Sequence, residues 1–184
     1  MTVDVTQLEE IARHYIMTVL RENEYPELAN QLSPVRDPDL KLYRQINSIC
    51  SQLERERAQQ FDEKISSLSI TTDSLEDTYR QLRTHVFLEG INGGRIITFL
   101  VFSSRLSLHC ARSGMQNQVR DIVEWTEDEM QDRIHHWMIE RGGWAVFVRH
   151  YDDLWKMSLS SFLVVTGMFT AVLASGVFLA KRYF

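Results

Sequence analysis

The sequence predicts an all-α protein, a bundle of helices packed around one central apolar helix. Three observations carry that reading. After Arg95 the chain, running Ile96-Ile97-Thr98-Phe99-Leu100-Val101-Phe102 and on through Leu106 and Leu108, is apolar on every side for roughly two helical turns. A surface helix is apolar along one stripe only, so this one must be surrounded by other helices or by lipid. On both sides of it apolar residues recur at steps of three and four, the period of helices that bury one face. Three prolines and eight glycines, few of them clustered, argue against sandwiches, barrels and low-complexity tracts.

Length and charge narrow the class further. With 184 residues, 44% of them hydrophobic, the chain can bury one sizeable core and is too short for two ordinary domains. A net charge of −5, with no basic stripe interleaved with aromatics, argues against nucleic acid as a partner. Cys50 and Cys110 are the only thiols, and the N-terminus does not read as a signal peptide. That pattern fits a reducing, cytosol-facing protein rather than a disulfide scaffold.

The first helix is expected from about Val5 to Asn23, with Leu8, Ile11, Ala12, Tyr15, Val19 and Leu20 on its buried stripe. Pro26, Pro34 and Pro38 break helical continuity and mark Tyr25 to Asp39 as a linker. From Leu40 to Gln60 a second amphipathic helix aligns Leu42, Ile46, Ile49 and Leu53 on one face, and Phe61 to Ser69 reads as a short helix of its own. Thr72-Asp73-Ser74 offers capping residues for a helix that ends near Leu88, with Leu75, Tyr79, Leu82, Val86 and Phe87 on its apolar face. The central helix takes Asn92 as its N-cap and ends at Ser113-Gly114. Beyond it Val119, Ile122, Val123, Met130, Ile134, Trp137 and Met138 continue the helical pattern. Glu124, Glu127, Asp128, Glu129 and Asp132 read as its solvated face.

Ser158 to Ala180 contains no charged residue, and at about 1.5 Å per residue it is long enough to span a bilayer. Followed by Lys181-Arg182-Tyr183-Phe184, it reads as a C-terminal transmembrane helix that inserts after translation as a tail anchor, with the soluble part on the cytosolic side. The expected division is a helical domain over 1–157 and an anchor over 158–184. Gly167, Ala171 and Ser175 lie at steps of four, which leaves a homo-oligomer open, although small residues are frequent in membrane helices by chance.

Enzyme chemistry finds little support. There is no dinucleotide or phosphate-binding glycine motif and no His-Glu-x-x-His, and Gly93-Gly94-Arg95 lacks the lysine and hydroxyl of a phosphate cradle. His135 and His136 are adjacent, so a helix points them about 100° apart, which is wrong for two ligands of one metal. No catalytic residue, metal or cofactor is expected, and the chain reads as a binding protein rather than an enzyme.

Arg95 is the informative residue. It is a lone charge at the start of an apolar helix, with no acidic neighbour in the turns that follow. Two readings stand: a charge held at the surface to face a partner, or an arginine that lies over the helix start and pairs with Glu89 or water.

Glu89-Gly90-Ile91-Asn92-Gly93-Gly94-Arg95-Ile96 resembles the first homology motif of the Bcl-2 family of apoptosis regulators, Gly-x-Asn-Trp-Gly-Arg, with Gly93 where tryptophan is usual. Trp137-Met138-Ile139-Glu140-Arg141-Gly142-Gly143-Trp144-Ala145-Val146-Phe147 is similar to the second motif, and Glu10-Ile11-Ala12-Arg13-His14-Tyr15-Ile16 to the fourth, with His14 where aspartate is common. The third motif needs four apolar anchors, a small residue and an aspartate. Here Leu42, Ile46, Ile49 and Leu53 supply the spacing, Cys50 the small position, and Ser51 stands where the aspartate belongs. Leu53-Glu54-Arg55-Glu56-Arg57 also resembles the Nr and Boo/Diva branch of the family.

The resemblance implies a Bcl-2-like helical bundle with a surface groove that takes the amphipathic death-motif helix of pro-apoptotic relatives of the Bax, Bak and Bim kind. Matching positions are Leu53, Arg57, Phe61, Leu68, Leu82, Val86, Asn92, Gly94, Arg95, Thr98, Phe102 and Tyr151. The apolar ones would receive the ligand's anchors, and Arg95 would pair with its aspartate. The implied role is survival-promoting, preventing permeabilisation of the mitochondrial outer membrane from its cytosolic face, with the endoplasmic reticulum as the other address. A pore-forming effector of the Bak type is the alternative, because Arg141-Gly142-Gly143-Trp144 and Lys181-Arg182-Tyr183-Phe184 look like that branch. The missing third-motif aspartate favours the survival role.

Overall fold

The structure is a computed structural model that describes residues 6–32 and 40–143. Along them run α1 (Thr6–Glu22), α2 (Pro26–Gln31), α3 (Leu40–Ser67), α4 (Leu75–Val86), α5 (Gly93–Arg112), α6 (Gln118–Glu129), a π-helical turn (Met130–Ile134) and α7 (His135–Glu140). The described residues contain no strand, as the sequence pattern requires.

Helix α5 is the centre. All of its residues except His109 and Arg112 are buried, and α1, α3, α4 and α6 pack against it. Helices, within the described residues, are thus what surround its all-round apolar face. Its ends follow from local chemistry. The Asn92 side chain accepts the Arg95 backbone N–H at 2.9 Å, satisfying one of the donors a helix start leaves orphaned. At the other end the Ser113 N–H donates to the His109 carbonyl at 2.9 Å, and Gly114 turns the chain with φ +78°, which suits a residue without a Cβ.

Several elements differ from the sequence expectation. The proline stretch is no simple linker: Pro26 opens α2 at its first position, where a missing N–H costs nothing, and Leu28 and Ala29 are buried. The two helices expected on either side of Gln60 are one, α3, because no glycine or proline interrupts Leu40–Ser67. Leu53, Phe61 and Ile65 carry its buried face through the expected break. Ser74 stands at the start of α4 without a capping bond from its side chain, which is engaged by Thr71 instead, and the helix closes at Val86 rather than Leu88.

The acidic stretch beyond α5 is only partly solvated. Glu127 accepts an ion pair from Arg13 of α1 at 2.5 Å. Glu129 is buried, with Arg133 at 3.0 Å and Arg83 of α4 at 3.4 Å. The π-helical turn that follows is a form found mostly as single-turn bulges, and it keeps Met130 and Ile134 both in the core.

One ionic cluster crosses the interior. Arg105 of α5, its side chain 8% exposed, donates Nε to Asp62 at 3.0 Å and Nη1 to Glu54 at 3.1 Å, and Nη2 meets the second Asp62 oxygen. Glu54 also accepts from the Tyr15 hydroxyl at 2.9 Å. Three helices, α1, α3 and α5, meet at this cluster. Burial opposes the guanidinium charge, and the bonds to Asp62 and Glu54 outweigh it, so the Arg105 pKa stands above its ordinary value.

Cys50 and Cys110 are both free and buried. Burial pushes the Cys110 thiol up to about 12 and raises Cys50 too, aided by Glu54, so neither is poised as a thiolate. Among the described residues no helix is long and apolar enough to cross a membrane. The predicted anchor over 158–184 lies outside them.

Candidate ligand-helix groove

The candidate residues are distributed over α3, α4 and α5, the last of which packs against both of the others. Leu53, Arg57 and Phe61 lie on α3, Leu68 just beyond it, Leu82 and Val86 on α4, and Gly94, Arg95, Thr98 and Phe102 on α5 with Asn92 as its cap. Tyr151 lies outside the described residues. Phe61 meets Phe102 edge to face at 4.6 Å between ring centres, tying α3 to the middle of α5. The Thr98 hydroxyl donates to the Gly94 carbonyl at 2.8 Å, so its polar atom is satisfied within the helix and its methyl is left for packing.

These walls lie inside the folded chain. Leu53, Phe61, Leu82, Val86, Thr98 and Phe102 are all buried, while Arg57 and Leu68 are half-buried. A helix that used them as anchor sites would have to part α3 or α4 from α5 and exchange one apolar neighbour for another.

Arg95 is not a surface charge facing outward. Its side chain is 10% exposed; Nη1 donates to the Gly90 carbonyl at 2.9 Å and Nη2 pairs with the Glu89 carboxylate. Both acceptors sit in the short connection between α4 and α5. Gly90 makes this possible: its φ of +96° is one that L side chains rarely adopt, and its N–H closes a turn on the Phe87 carbonyl at 3.0 Å. Glu89 itself is 59% exposed. The arginine is therefore satisfied by its own loop, through a partner that solvent can reach.

Two surface clefts lie elsewhere. One of about 300 Å³ is lined by Leu28, Gln31, Leu32, Gln116, Asn117, Val119 and Arg120. A smaller one of about 100 Å³ lies between α4 and α6, against Tyr79, Arg83 and Trp125. Neither includes a candidate groove residue. Sequence reasoning did not single out Gly90 as a site residue, although a glycine between an acid and the helix cap is the available signal for a turn that brings the two ends together.

The fold is an all-helical bundle closed round one apolar helix, with a buried arginine at the start of that helix paired to an exposed carboxylate. The family model described as apoptosis regulator proteins of the Bcl-2 family matches residues 46–144, and the chain belongs to that family. Among curated relatives, apoptosis regulator R11 of Xenopus laevis is 33% identical over 91 residues, covering 50% of this chain and 45% of that protein. Human Bcl-2-like protein 1 is 31% identical over 93 residues, 50% of this chain and 40% of that protein. These matches thus span less than half the length of either relative. Human Bcl-2 homologous antagonist/killer is 26% identical over 192 aligned positions, covering 96% of this chain and 84% of that protein. Among solved structures, the crystal structure of Trichoplax adhaerens trBcl-2L2 bound to trBak BH3 superposes with a TM-score of 0.70 at 26% identity, covering 80% of this chain and 99% of that one.

Proposed function

We propose that this apoptosis regulator is survival-promoting. It binds the death-motif helix of pro-apoptotic relatives in the groove between α3, α4 and α5, and so prevents permeabilisation of the mitochondrial outer membrane. The observation that carries binding is Arg95, a guanidinium at the mouth of an apolar wall whose present partner is an exposed carboxylate. A ligand carboxylate has a ready-made position there, and a charge-assisted contact fixes the register of a helix that apolar anchors alone would let slide. That the Trichoplax neighbour is bound to a BH3 segment supports the same mode. The survival role rests on α3: Leu42, Ile46, Ile49 and Leu53 are all turned to its own core, and Ser51 replaces the aspartate an exchangeable motif would carry. Residues 158–184 anchor the domain of residues 1–157 to the mitochondrial outer membrane, or to the endoplasmic reticulum, with the domain in the cytosol.

The effector reading is favoured by a different observation, the match to the antagonist/killer relative along 96% of this chain. One experiment separates the two. Full-length protein is incorporated in liposomes of mitochondrial lipid loaded with a fluorescent dye. A survival protein leaves the dye inside and suppresses release by an added effector. Release on addition of a death-motif peptide, with crosslinkable oligomers, would replace the survival role with the effector role.

A further inference from the structure

We propose that Glu89 is an internal competitor for the ligand's carboxylate, and that it sets how selectively the groove demands an acidic residue in its ligand. The inference rests on the reading of Arg95 as the ligand's anchor. A guanidinium has five donors in a planar fork and binds one carboxylate well. In the free protein that place is taken by Glu89, six residues before Arg95 and delivered by the left-handed turn at Gly90, while the Gly90 carbonyl takes Nη1.

The two partners of the pair differ sharply in burial. Arg95 is 10% exposed and Glu89 59%, so the carboxylate can swing into water while the arginine stays. A ligand carboxylate then replaces Glu89 without leaving the buried arginine unpaired, and Glu89 is rehydrated at little cost. A helix lacking the acid leaves the Glu89 pair intact and gains nothing from Arg95. Glu89 thereby lowers affinity for the correct ligand by the fraction of time it occupies the arginine. It also shields Arg95 from standing as an unpaired buried charge when no ligand is present.

The test uses full-length protein in liposomes and two synthetic amphipathic helical peptides that differ only in having aspartate or alanine at the acidic position. Glu89→Gln should tighten binding of the aspartate peptide about three- to tenfold, as expected if the arginine is free for about a tenth to a third of the time. The alanine peptide should be unaffected. Glu76→Gln, which removes a comparably exposed charge from α4 at a pair with Arg80, serves as the net-charge control and should change neither peptide. Unchanged or weaker binding of the aspartate peptide by Glu89→Gln overturns the proposal, and so does an equal gain for both peptides. If Arg95→Ala weakens the aspartate peptide and not the alanine peptide in those cases, the groove reading stands without the competitor. If neither peptide binds parent or variant, both fall together.

Discussion

Arg95 and Arg105 stand ten positions apart on α5, roughly 80° apart round the helix, and both are withdrawn from water. Arg95 is satisfied locally, by a carbonyl and a carboxylate five and six residues back along the chain. Arg105 is satisfied across the fold, by Glu54 and Asp62 of α3, 51 and 43 residues away, with Tyr15 of α1 bonded to the same glutamate. A locally held charge can be released by moving a loop. A charge held across the fold cannot be released without separating helices. The first arrangement suits recognition and the second suits integrity, and α5 carries one at each half.

Breaking the second arrangement should have the largest effect. Arg105→Ala leaves Glu54, whose side chain is 13% exposed, without its cation, and removes the cross-link between α3 and α5. Removing one partner of a buried ion pair costs about 3 to 5 kcal/mol; because Asp62 is partly in water, about 2 to 4 kcal/mol is expected here. Chemical denaturation of a fragment of residues 1–157 reads it directly. A loss under 1 kcal/mol would mean that the cluster is no clamp.

Arg95→Ala should reverse the pattern. Its partner is exposed, so folding should lose about 1 kcal/mol or less. Affinity for an aspartate-bearing helix should fall by about 1.5 to 3 kcal/mol, roughly ten- to a hundredfold. In a double-mutant cycle with the aspartate-to-alanine peptide the two losses should be less than additive. Simple additivity would show that Arg95 and the ligand acid do not meet.

Asn92→Ala probes the same half of α5 more gently. It removes the bond to the Arg95 N–H and should cost about 1 kcal/mol, whereas Asn92→Gly should cost only a few tenths. Equal losses for the two variants, measured by thermal unfolding, would show that the side chain does more than cap.

The same contrast between local and distant partners governs what could be read from the sequence. The central helix, its cap at Asn92 and its stop at Ser113-Gly114 are encoded within a few residues, and the structure places all three where the pattern does. The Arg95–Glu89 pair is one of two readings available from a seven-residue stretch. The continuity of α3 was not legible, because a change in apolar spacing near Gln60 resembles a boundary when no packing partner is visible. Nor was α2, since Pro26 signals a break and a helix start alike. Arg105 is silent in the sequence: nothing in Arg105-Leu106-Ser107 announces partners that lie on another helix. Glu129 reads as part of a solvated face because four neighbouring acids suggest one, whereas the π-helical turn begins just after it and breaks the α-helical period on which that face depends.

Glu129 brings both kinds of partner to one group, Arg133 from the adjoining π-helical turn and Arg83 from α4. Burial raises its pKa, Arg133 and Arg83 pull it down, and the net result stays above its ordinary value of 4.5. The sign of the pH dependence follows. Below 4.5 the group is protonated in folded and unfolded chains alike, and its contribution is complete. As pH rises from 4.5 through the folded value, the unfolded chain gives up its proton first, so this group's contribution falls and then levels off. Other carboxylates can slope the opposite way, so the quantity to measure is the difference in urea midpoint between Glu129→Gln and the parent, followed upward from pH about 4. That difference should rise with pH. Arg83→Ala and Arg133→Ala should each steepen the parent's descent, because each removes a charge that opposes burial. Arg83→Ala should also loosen α4 from α6, and more than Arg133→Ala does, since Arg133 pairs with Glu129 within its own stretch of chain and reaches the end of α4 only through the Phe87 ring, 5.4 Å from its guanidinium. Hydrogen exchange along α4 distinguishes them: equal protection in the two variants would mean that the cross-fold partner holds no more structure than the local one, and the contrast drawn from Arg95 and Arg105 would not extend to this site.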